Sequence, residues 1–424
     1  MARKMKDSGI EWIGEIPEGW EIHRIKTHFF IISGSGFKPE LQGQSTGDFP
    51  VCKASDISSS GHYLHTSANY ITSDIVKSQH FSIIPKGSIL FAKIGEAMRK
   101  NNRSLCSLDC CVDNNCQGLV PKNISSEFSY YLFTCIDMTW FDNAGTIPCI
   151  NNQKLYDCRI PFPSYDEQLL ISNHLNFQCA KINEMLFHIR SSIEEYKKLK
   201  QAVITQAVTK GVRGEREMKD SGVEWIGEIP AEWKIQRFAR VAEVKSNLVS
   251  PDNYLEYPQI SPENIEKDSG KLLLPCRTVS EVGVISGNHL FYKGQILYSK
   301  IRPKLNKVCI APFDGLCSAD MYPIESKNDT RYIVYCILSN GFLQQVSMIT
   351  ENRVKMPKVN QVELSKILVA IPETIAEQKE IADYLDAKCA EIDSLIAKKE
   401  QLAKELESYK KSLIYEVVTG KREV

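Results

Sequence analysis

Two clusters of basic residues stand at corresponding places in this sequence. Between Lys86 and Arg103 there are five basic side chains and one acid, and between Lys293 and Lys307 there are five basic side chains and no acid. Clustered lysines and arginines neutralise phosphates, so a repeated pair of clusters predicts contacts to a nucleic acid duplex at two separate places. The alternative is two solvated, charged loops. The candidate phosphate-binding residues are Lys93, Arg99, Lys100, Arg103, Lys300, Arg302, Lys304 and Lys307.

Polar residues near the two clusters differ between the halves of the chain. Reading bases requires side chains with suitably placed donors and acceptors, such as Arg on guanine and Asn or Gln on adenine. Gly95 stands where Arg302 stands, and aligning NCQGL with SADMY sets Gln117 against Asp320. The candidate readers are Gln117, Asn143, Thr146, Asn151, Asp320, Arg353, Lys355 and Asn360. We therefore predict that the two halves recognise different short sequences.

The chain shows no motif for catalysis. It contains no GxxxxGK[ST], HExxH or GxSxG motif and no Asn-Pro-Pro-aromatic tetrad, and the Gly-rich stretch SGSGFKPE has a proline where a dinucleotide fingerprint needs its third glycine. Cys106, Cys110, Cys111 and Cys116 lack the C-x-x-C spacing of structural zinc sites. We expect neither a catalytic site nor a metal site in this chain.

Composition restricts the remaining possibilities. A chain of 424 residues is longer than a single hydrophobic core normally supports, which predicts more than one domain. The 52 basic and 52 acidic residues give a net charge of zero, so any site for a polyanion must be local. The first residues, MARKMKDSGIEW, hold no apolar stretch of signal-peptide length, and the 14 cysteines are irregularly spaced. These features predict a reduced, cytoplasmic protein.

The sequence repeats itself with a period of about 210 residues, which is too long for a solenoid unit. MKDSGIEWIGEIP at Met5 to Pro17 returns as MKDSGVEWIGEIP at Met218 to Pro230, and KGSILFAKI returns as KGQILYSKI. A third pair begins at Glu167 and Glu377 and continues without gaps. The repeat predicts a duplicated domain with one shared fold. The repeated WIGEIP segments fit either structural packing or a subunit contact.

Each repeat closes with a long heptad pattern, over Asp166 to Thr209 and over Ala376 to Thr419. Prolines precede both stretches and glycines follow them, as expected for helix limits. The narrow apolar seams predict an antiparallel coiled-coil pair about 65 Å long, although each helix could instead lie on its own globule. Short apolar runs between turn residues predict mixed, β-rich globules. The run Tyr130 to Ile136 and its repeat, Arg331 to Ile337, fit either a helix or a strand.

The repeated KDSG(I/V)EWIGEIP, the KGxIL(F/Y)xKI element and the P-x-P…EQ start of a long helix together resemble the specificity subunit of type I restriction-modification systems. The resemblance implies an α+β chain with pseudo-twofold duplication. Two target recognition domains would read a split site on double-stranded DNA, and the helices would act as spacer. The predicted domains are a first recognition domain at 1–162, a spacer helix at 163–211, a second recognition domain at 212–371 and a second helix at 372–424.

The same resemblance implies partner chains: two methyltransferase subunits that use S-adenosylmethionine, and a nuclease subunit that translocates with ATP and Mg²⁺. Those cofactors would belong to the partners. Two rival hypotheses remain at this point, a free-standing DNA-binding regulator and a coiled-coil scaffold that binds no DNA.

Overall fold

The computed structural model describes residues 3–143, 145–351, 353 and 357–424. The chain forms two compact units, of which unit 1 comprises Met1–His188 with Leu402–Val424 and unit 2 comprises Ile189–Gln401. Each unit therefore combines one globular part with segments of both long helices. The boundaries between the two compact units fall inside the long helices and not at their ends. The domain limits derived from the sequence, at 162, 211 and 371, therefore stay predictions.

Unit 1 contains short strands and short helices, followed by the first long helix. The strands are β1 Met5–Asp7, β2 Glu15–Pro17, β3 Glu21–Arg24, β4 Phe29–Ser33, β5 Phe49–Cys52, β6 Tyr63–Leu64, β7 Tyr70–Ile71, β8 Ile89–Ala92, β9 Arg103–Cys106, β10 Cys111–Val112, β11 Cys116–Pro121 and β12 Arg159–Phe162. The helices are α1 Ile25–His28, α2 Ala54–Ser60, α3 Ser73–Ser78, α4 Gly95–Arg99, α5 Ser126–Thr134, α6 Asn152–Asp157 and α7 Tyr165–Lys210, with 3₁₀ turns at Pro39–Leu41 and Met138–Phe141.

Unit 2 repeats this plan. Its strands are β13 Met218–Asp220, β14 Glu228–Pro230, β15 Lys234–Arg237, β16 Ala242–Val244, β17 Leu248–Val249, β18 Gln259–Ile260, β19 Asn288–Phe291, β20 Ile296–Ser299, β21 Val308–Ile310, β22 Gly315–Cys317, β23 Met321–Ser326 and β24 Leu368–Ile371. The helices are α8 Phe238–Val241, α9 Val279–Val282, α10 Thr330–Leu338, α11 Asn340–Thr350, α12 Gln361–Lys366 and α13 Ile375–Val418, with 3₁₀ turns at Pro251–Asn253, Pro262–Asn264 and Pro303–Leu305.

The sheet topology confirms the duplication. In unit 1 the main sheet has the order β4-β11-β8-β9-β6, and in unit 2 the main sheet has the order β16-β23-β20-β21. A second sheet in each unit contains a parallel pair, β5 with β10 and β18 with β22. The two globules therefore share a scaffold of mixed strands, as the repeat predicts.

The segments left open between helix and strand are helices, α5 and α10. Each begins at a side-chain cap, since Ser125 Oγ accepts a hydrogen bond from the Phe128 N–H and Asp329 Oδ1 accepts one from the Tyr332 N–H. Such caps bind N–H groups that a helix start leaves without a backbone partner. Both helices are largely buried in the core of their unit.

The two long helices lie within one residue of the predicted limits at each end. In unit 2 the ammonium of Lys200 binds Asp393 at 2.8 Å. One helical turn earlier, the ring centre of Tyr196 lies 5.7 Å from the ammonium of Lys399. Partner numbers thus rise along one helix as they fall along the other, which makes the pair antiparallel there. In unit 1 the ammonium of Lys410 donates to Asn183 at 2.8 Å.

The helices also pack against the globules. In unit 1, Leu175 of α7 and Val417 of α13 belong to the same buried cluster as the globule's Phe128. In unit 2, Ile204 of α7 and Leu385 of α13 share a cluster with the globule's own apolar side chains. Both predicted packing modes are therefore present in each unit, helix on helix and helix on globule.

Residues that flank the repeated WIGEIP segments brace the starts of the long helices. Shortly after each segment a buried tryptophan donates its indole N–H to a glutamate of the helix's first turn, Trp20 to Glu167 at 2.9 Å and Trp233 to Glu377 at 3.2 Å. Arg216 also binds Glu377, at 2.8 Å. Within the segments themselves, Ile16 and its repeat Ile229 are buried in the core of their unit, so the segments pack against the rest of the chain.

Among the described residues, no single helix is both long and apolar enough to cross a membrane; the α10–α11 pair meets that criterion only when its two helices, bent by 58°, are taken together.

Candidate nucleic-acid interface

Three segments meet in the same way in each unit. The Lys93 N–H donates to the Asn115 carbonyl at 2.8 Å in unit 1, and the Lys300 N–H donates to the Asp320 carbonyl at 3.0 Å in unit 2. The loop after β8 or β20 is thereby tied to the turn before β11 or β23.

The same loop is tied to a third segment two residues further on. The Gly95 N–H donates to the Pro148 carbonyl at 2.8 Å, and the Arg302 N–H donates to the Pro357 carbonyl at 2.9 Å. The scaffold therefore gathers the basic loop and most of the predicted readers at one place in each unit. We name these places the unit 1 interface and the unit 2 interface.

Strand pairing corrects one predicted equivalence. Gln117 lies opposite Phe91 in unit 1, and Tyr322 lies opposite Tyr298 in unit 2. The counterpart of Gln117 is therefore Tyr322, and the prediction that it is Asp320 was wrong. The error has a simple cause: the connection between the paired strands is two residues longer in unit 1, whereas the alignment of NCQGL with SADMY assumes a difference of four residues. The counterpart of Asp320 is Asn115, which is exposed and was not among the predicted readers.

Two predicted DNA-binding side chains are buried, and the structure contradicts their assignment. The Arg103 guanidinium donates to the Ile136 carbonyl at 3.0 Å from two of its nitrogens and also binds Asn101, and burial lowers the pKa of Arg103 to about 10. Gln117 is fully buried in β11, where its amide donates to Asn152 at 3.2 Å. Neither side chain can reach a duplex, because both are enclosed by the core.

The unit 1 interface retains the other predicted cations. Arg99 and Lys100 are exposed at the end of α4, where Arg99 pairs with Glu96 at 2.6 Å, and Lys93 is half-buried. Lys100 lines a shallow cleft of about 430 Å³ together with residues of α2. An exposed lysine of this kind suits contact to a phosphate.

The predicted polar readers of unit 1 other than Gln117 lie between the turn Met138–Phe141 and the start of α6. Asn143 and Thr146 are exposed, and the Asn151 amide donates to Asn143 Oδ1 at 2.9 Å. Asn151 Oδ1 in turn accepts from the Gln153 and Lys154 N–H groups at the start of α6. Asn151 therefore holds the loop, whereas Asn143 and Thr146 face solvent and are placed to meet a ligand.

The unit 2 interface contains an open cleft of about 680 Å³. Lys300 lies on its wall with its ammonium 5.1 Å from the ring centre of Tyr322, a cation–π contact that holds the lysine over the aromatic face. Asn360 also lines the cleft, and its side chain caps α12 by accepting from the Glu363 N–H at 2.9 Å.

The other predicted residues of unit 2 fall into two groups. Three of them form internal contacts: the Lys307 ammonium donates to the Pro262 carbonyl at 2.7 Å, Asp320 pairs with Lys358 at 3.0 Å, and Arg353 pairs with Glu363. Arg302 and Lys304 are exposed. The predicted reader Lys355 lies outside the described residues.

Sequence reasoning missed several residues of the unit 2 cleft. Besides Tyr322, the cleft is lined by His289 of β19 and by Gln361 and Lys366 of α12. Burial, followed by the nearby charge of Lys300, lowers the pKa of His289. No motif marks these positions in the sequence; only strand order brings β19 beside the basic loop.

The cysteine cluster is a packing feature. Cys106, Cys110, Cys111 and Cys116 are buried free thiols, and burial raises the pKa of Cys111 to about 12. Within the described part of the chain, no group of three or more His, Cys, Asp or Glu side chains is arranged to hold a metal ion.

Comparison with known proteins places both interfaces in a family context. The family of the type I restriction modification DNA specificity domain matches residues 17–195 and 230–407. The chain is 36% identical over 292 residues to the type I restriction enzyme EcoDI specificity subunit of Escherichia coli, a match that covers 65% of each protein. It is 22% identical over 386 residues to the MjaIX specificity subunit of Methanocaldococcus jannaschii, covering 86% of each.

The fold has a solved counterpart. A structure from work on complex assembly and conformational transition of the type I R-M system superposes with a TM-score of 0.68 at 14% sequence identity, covering 96% of this chain and 99% of the other. At that identity the likeness concerns the fold alone. The two matched segments together span most of the sequence, and this chain belongs to the type I restriction modification DNA specificity domain family.

Proposed function

We propose that this chain is the DNA sequence-specificity subunit of a type I restriction-modification complex. The observation that carries the proposal is the duplicated interface: each unit ties a basic loop, a strand-end turn and a polar loop together by the same backbone hydrogen bonds. Phosphate contacts position a protein on DNA and base contacts provide specificity. Each interface supplies both kinds of side chain.

The two interfaces are proposed to read different halves of a bipartite, asymmetric site. Their scaffolds match, but the side chains at corresponding accessible positions differ: Asn115 against Asp320 and Gly95 against Arg302. These differences change the charge and the hydrogen-bonding pattern at each position. Two readers with different chemistry favour two different base sequences.

The long helices are proposed to set the gap between the half-sites. α7 has 46 residues and α13 has 44 residues, so each spans roughly 65–70 Å at 1.5 Å per residue. Half-site spacing in DNA-binding proteins follows from the geometry that joins the two readers. The helices are also the proposed docking elements for two methyltransferase subunits.

Catalysis is proposed to belong to the partners, since the chain carries no cofactor motif. On this proposal the methyltransferase subunits bind S-adenosylmethionine, and the restriction subunits bind ATP and Mg²⁺. The chain would work in the cytoplasm, where its DNA substrate lies.

The test is a segment exchange read out by methylome sequencing. Replacing residues 86–155 with the corresponding segment of another family member should change one half of the methylated sequence and leave the other half and the gap unaltered, because that segment carries the unit 1 interface. The matched exchange of residues 293–364 should change the opposite half. Alteration of both halves by one exchange would contradict independent readers.

Copurification separates the proposal from its rivals. A specificity subunit should retain methyltransferase chains and should bind its site tightly only with them. A stand-alone regulator would bind the site without partners, and a scaffold would show no salt-dependent DNA affinity at any stage.

A further inference from the structure

Arg302 occupies a backbone conformation that disfavours its side chain. Its φ is 45°, in the left-handed region, and its counterpart in unit 1 is Gly95 with a φ of 72°. Both residues donate their N–H to the carbonyl of a proline in the neighbouring loop, so the two turns correspond. Left-handed conformation suits glycine and strains residues with a Cβ. Unit 2 therefore retains an arginine where the same turn accommodates glycine without strain.

The guanidinium of Arg302 is available for a ligand. Arg302 is exposed, and its side chain forms no hydrogen bond or ion pair with another residue of the described chain. Neighbouring cations are engaged: Arg353 with Glu363, and Lys307 with the Pro262 carbonyl. Strained residues persist where the surrounding structure fixes them, and they occur preferentially at ligand sites.

Charge alone does not account for an arginine at this position. Lys304 is exposed two residues further on, in the 3₁₀ turn Pro303–Leu305, and it can neutralise a phosphate from ordinary backbone geometry. Arginine differs from lysine in presenting a planar fork that binds two acceptors at once. An exposed guanidinium fork beside the loop of Pro357 is suited to the paired acceptors O6 and N7 at the major-groove edge of guanine.

We infer that Arg302 reads a guanine in the half-site recognised by unit 2, and that unit 1 makes no matching contact because Gly95 takes the corresponding place. The inference rests on the proposed function. It identifies one base contact of this chain and one source of asymmetry between its half-sites.

The experiment uses the chain in complex with its methyltransferase subunits and the duplex that the wild-type complex methylates, identified by methylome sequencing. Each guanine of the site is replaced in turn by 7-deazaguanine, which lacks the N7 acceptor. For wild type we expect one position in one half-site at which this replacement weakens binding roughly tenfold, the loss typical of one hydrogen bond from a charged donor. R302G should bind the normal and the 7-deaza duplex equally well at that position, and R302K, whose ammonium can reach N7 or O6 but lacks the planar fork, should show a smaller difference than wild type.

The variants include their own folding control. R302G introduces the residue that the other repeat already carries, so its thermal unfolding midpoint should be equal to that of wild type or higher. K304Q is the matched control for a phosphate contact: it should weaken binding to the cognate and a scrambled duplex alike, and it should leave the effect of 7-deazaguanine intact.

Three results would overturn the inference. A loss by R302G that is equal on cognate and scrambled duplexes and absent in R302K would assign Arg302 to a phosphate, because lysine also neutralises phosphates. Unchanged binding by both variants would remove Arg302 from the interface, and a site without guanine would leave it nothing to read. Each of these results leaves the proposed function standing. If the wild-type complex methylated no bipartite sequence at all, the proposed function itself would fail.

Discussion

At the level of single residues, burial decides what each cation of the two basic clusters can do. Arg103 and Lys100 belong to one cluster, yet the Arg103 guanidinium is enclosed and bound to the Ile136 carbonyl while Lys100 is exposed. In unit 2, Lys307 is bound to a backbone carbonyl while Lys304 is exposed. Each cluster therefore divides into cations that hold the loop together and cations that remain available to DNA.

Arg103 should contribute to stability and not to DNA affinity. R103L leaves the Ile136 carbonyl and Asn101 without their charged donor, and we expect the free energy of unfolding to fall by about 1–3 kcal/mol. Urea denaturation measures the loss. R99L, which removes an exposed pair with Glu96, should cost less than about 0.5 kcal/mol. A stable R103L with a reduced salt dependence of DNA binding would reverse the assignment.

Lys100 should behave as a phosphate contact. K100Q is expected to weaken binding of the assembled complex equally on cognate and scrambled duplexes, and to lower the slope of log affinity against log salt by about one. Titrations at several salt concentrations give this slope. K4Q removes an exposed lysine that pairs with Glu18 outside the basic loops, and it should leave the slope unchanged. A K100Q effect confined to the cognate duplex would point to base readout instead.

At the level of elements, the sequence predicted what is long or repeated and missed what depends on partners distant in sequence. The heptad patterns over Asp166 to Thr209 and Ala376 to Thr419, each bounded by proline and glycine, define α7 and α13 to within one residue. The apolar runs of α5 and α10 could not be assigned, because a short buried segment carries no decisive period. The cleft residue His289 and the pairing of Gln117 with Phe91 depend on sheet order, which no local pattern contains.

The pairing of the helices in unit 2 should depend on pH through Asp393. Burial by itself raises the pKa of this carboxyl, but hydrogen bonds from Lys200 and Lys271 outweigh that effect, and the net pKa lies below its ordinary value. A lowered folded-state pKa gives stabilisation that is present above the unfolded-state pKa of about 3.9 and is lost as pH falls through the folded-state value.

D393N should therefore destabilise the protein by about 1–2 kcal/mol at pH 7, because it removes ion pairs that solvent partly screens. Its deficit relative to wild type should shrink below about pH 4. Thermal unfolding followed by circular dichroism across this range is the measurement. E391Q removes the exposed pair with Lys388 on the same helix and should have little effect at any pH. A D393N deficit that is constant with pH would contradict the role of the charge.

At the scale of the whole molecule, the net charge is zero and the basic side chains proposed to bind DNA are confined to two local interfaces. A chain without global attraction to DNA depends on the loops that both units expose, so its affinity should require both interfaces at once. Linked binding of two modules is strong only when the link allows both to engage. The length of the helices then becomes a determinant of specificity equal in importance to the readers.

The decisive change is the removal of one heptad from each helix, residues 192–198 of α7 and 395–401 of α13. These segments lie opposite each other, because Lys200 pairs with Asp393 and Tyr196 contacts Lys399. Their joint removal therefore keeps the antiparallel register. Seven residues shorten a helix by about 10 Å, close to three base-pair steps of about 3.4 Å. We expect the complex to lose affinity for its natural site and to prefer a gap shorter by about three base pairs.

Binding to duplexes with a graded series of gaps measures this preference. Replacing the same heptads with unrelated helix-forming heptads of equal length is the matched control, and it should retain the natural gap because length and register are unchanged. If the shortened protein folds, assembles with its methyltransferase subunits and still prefers the natural gap, helix length does not set the spacing. The separation of the half-sites would then have to come from the partner subunits.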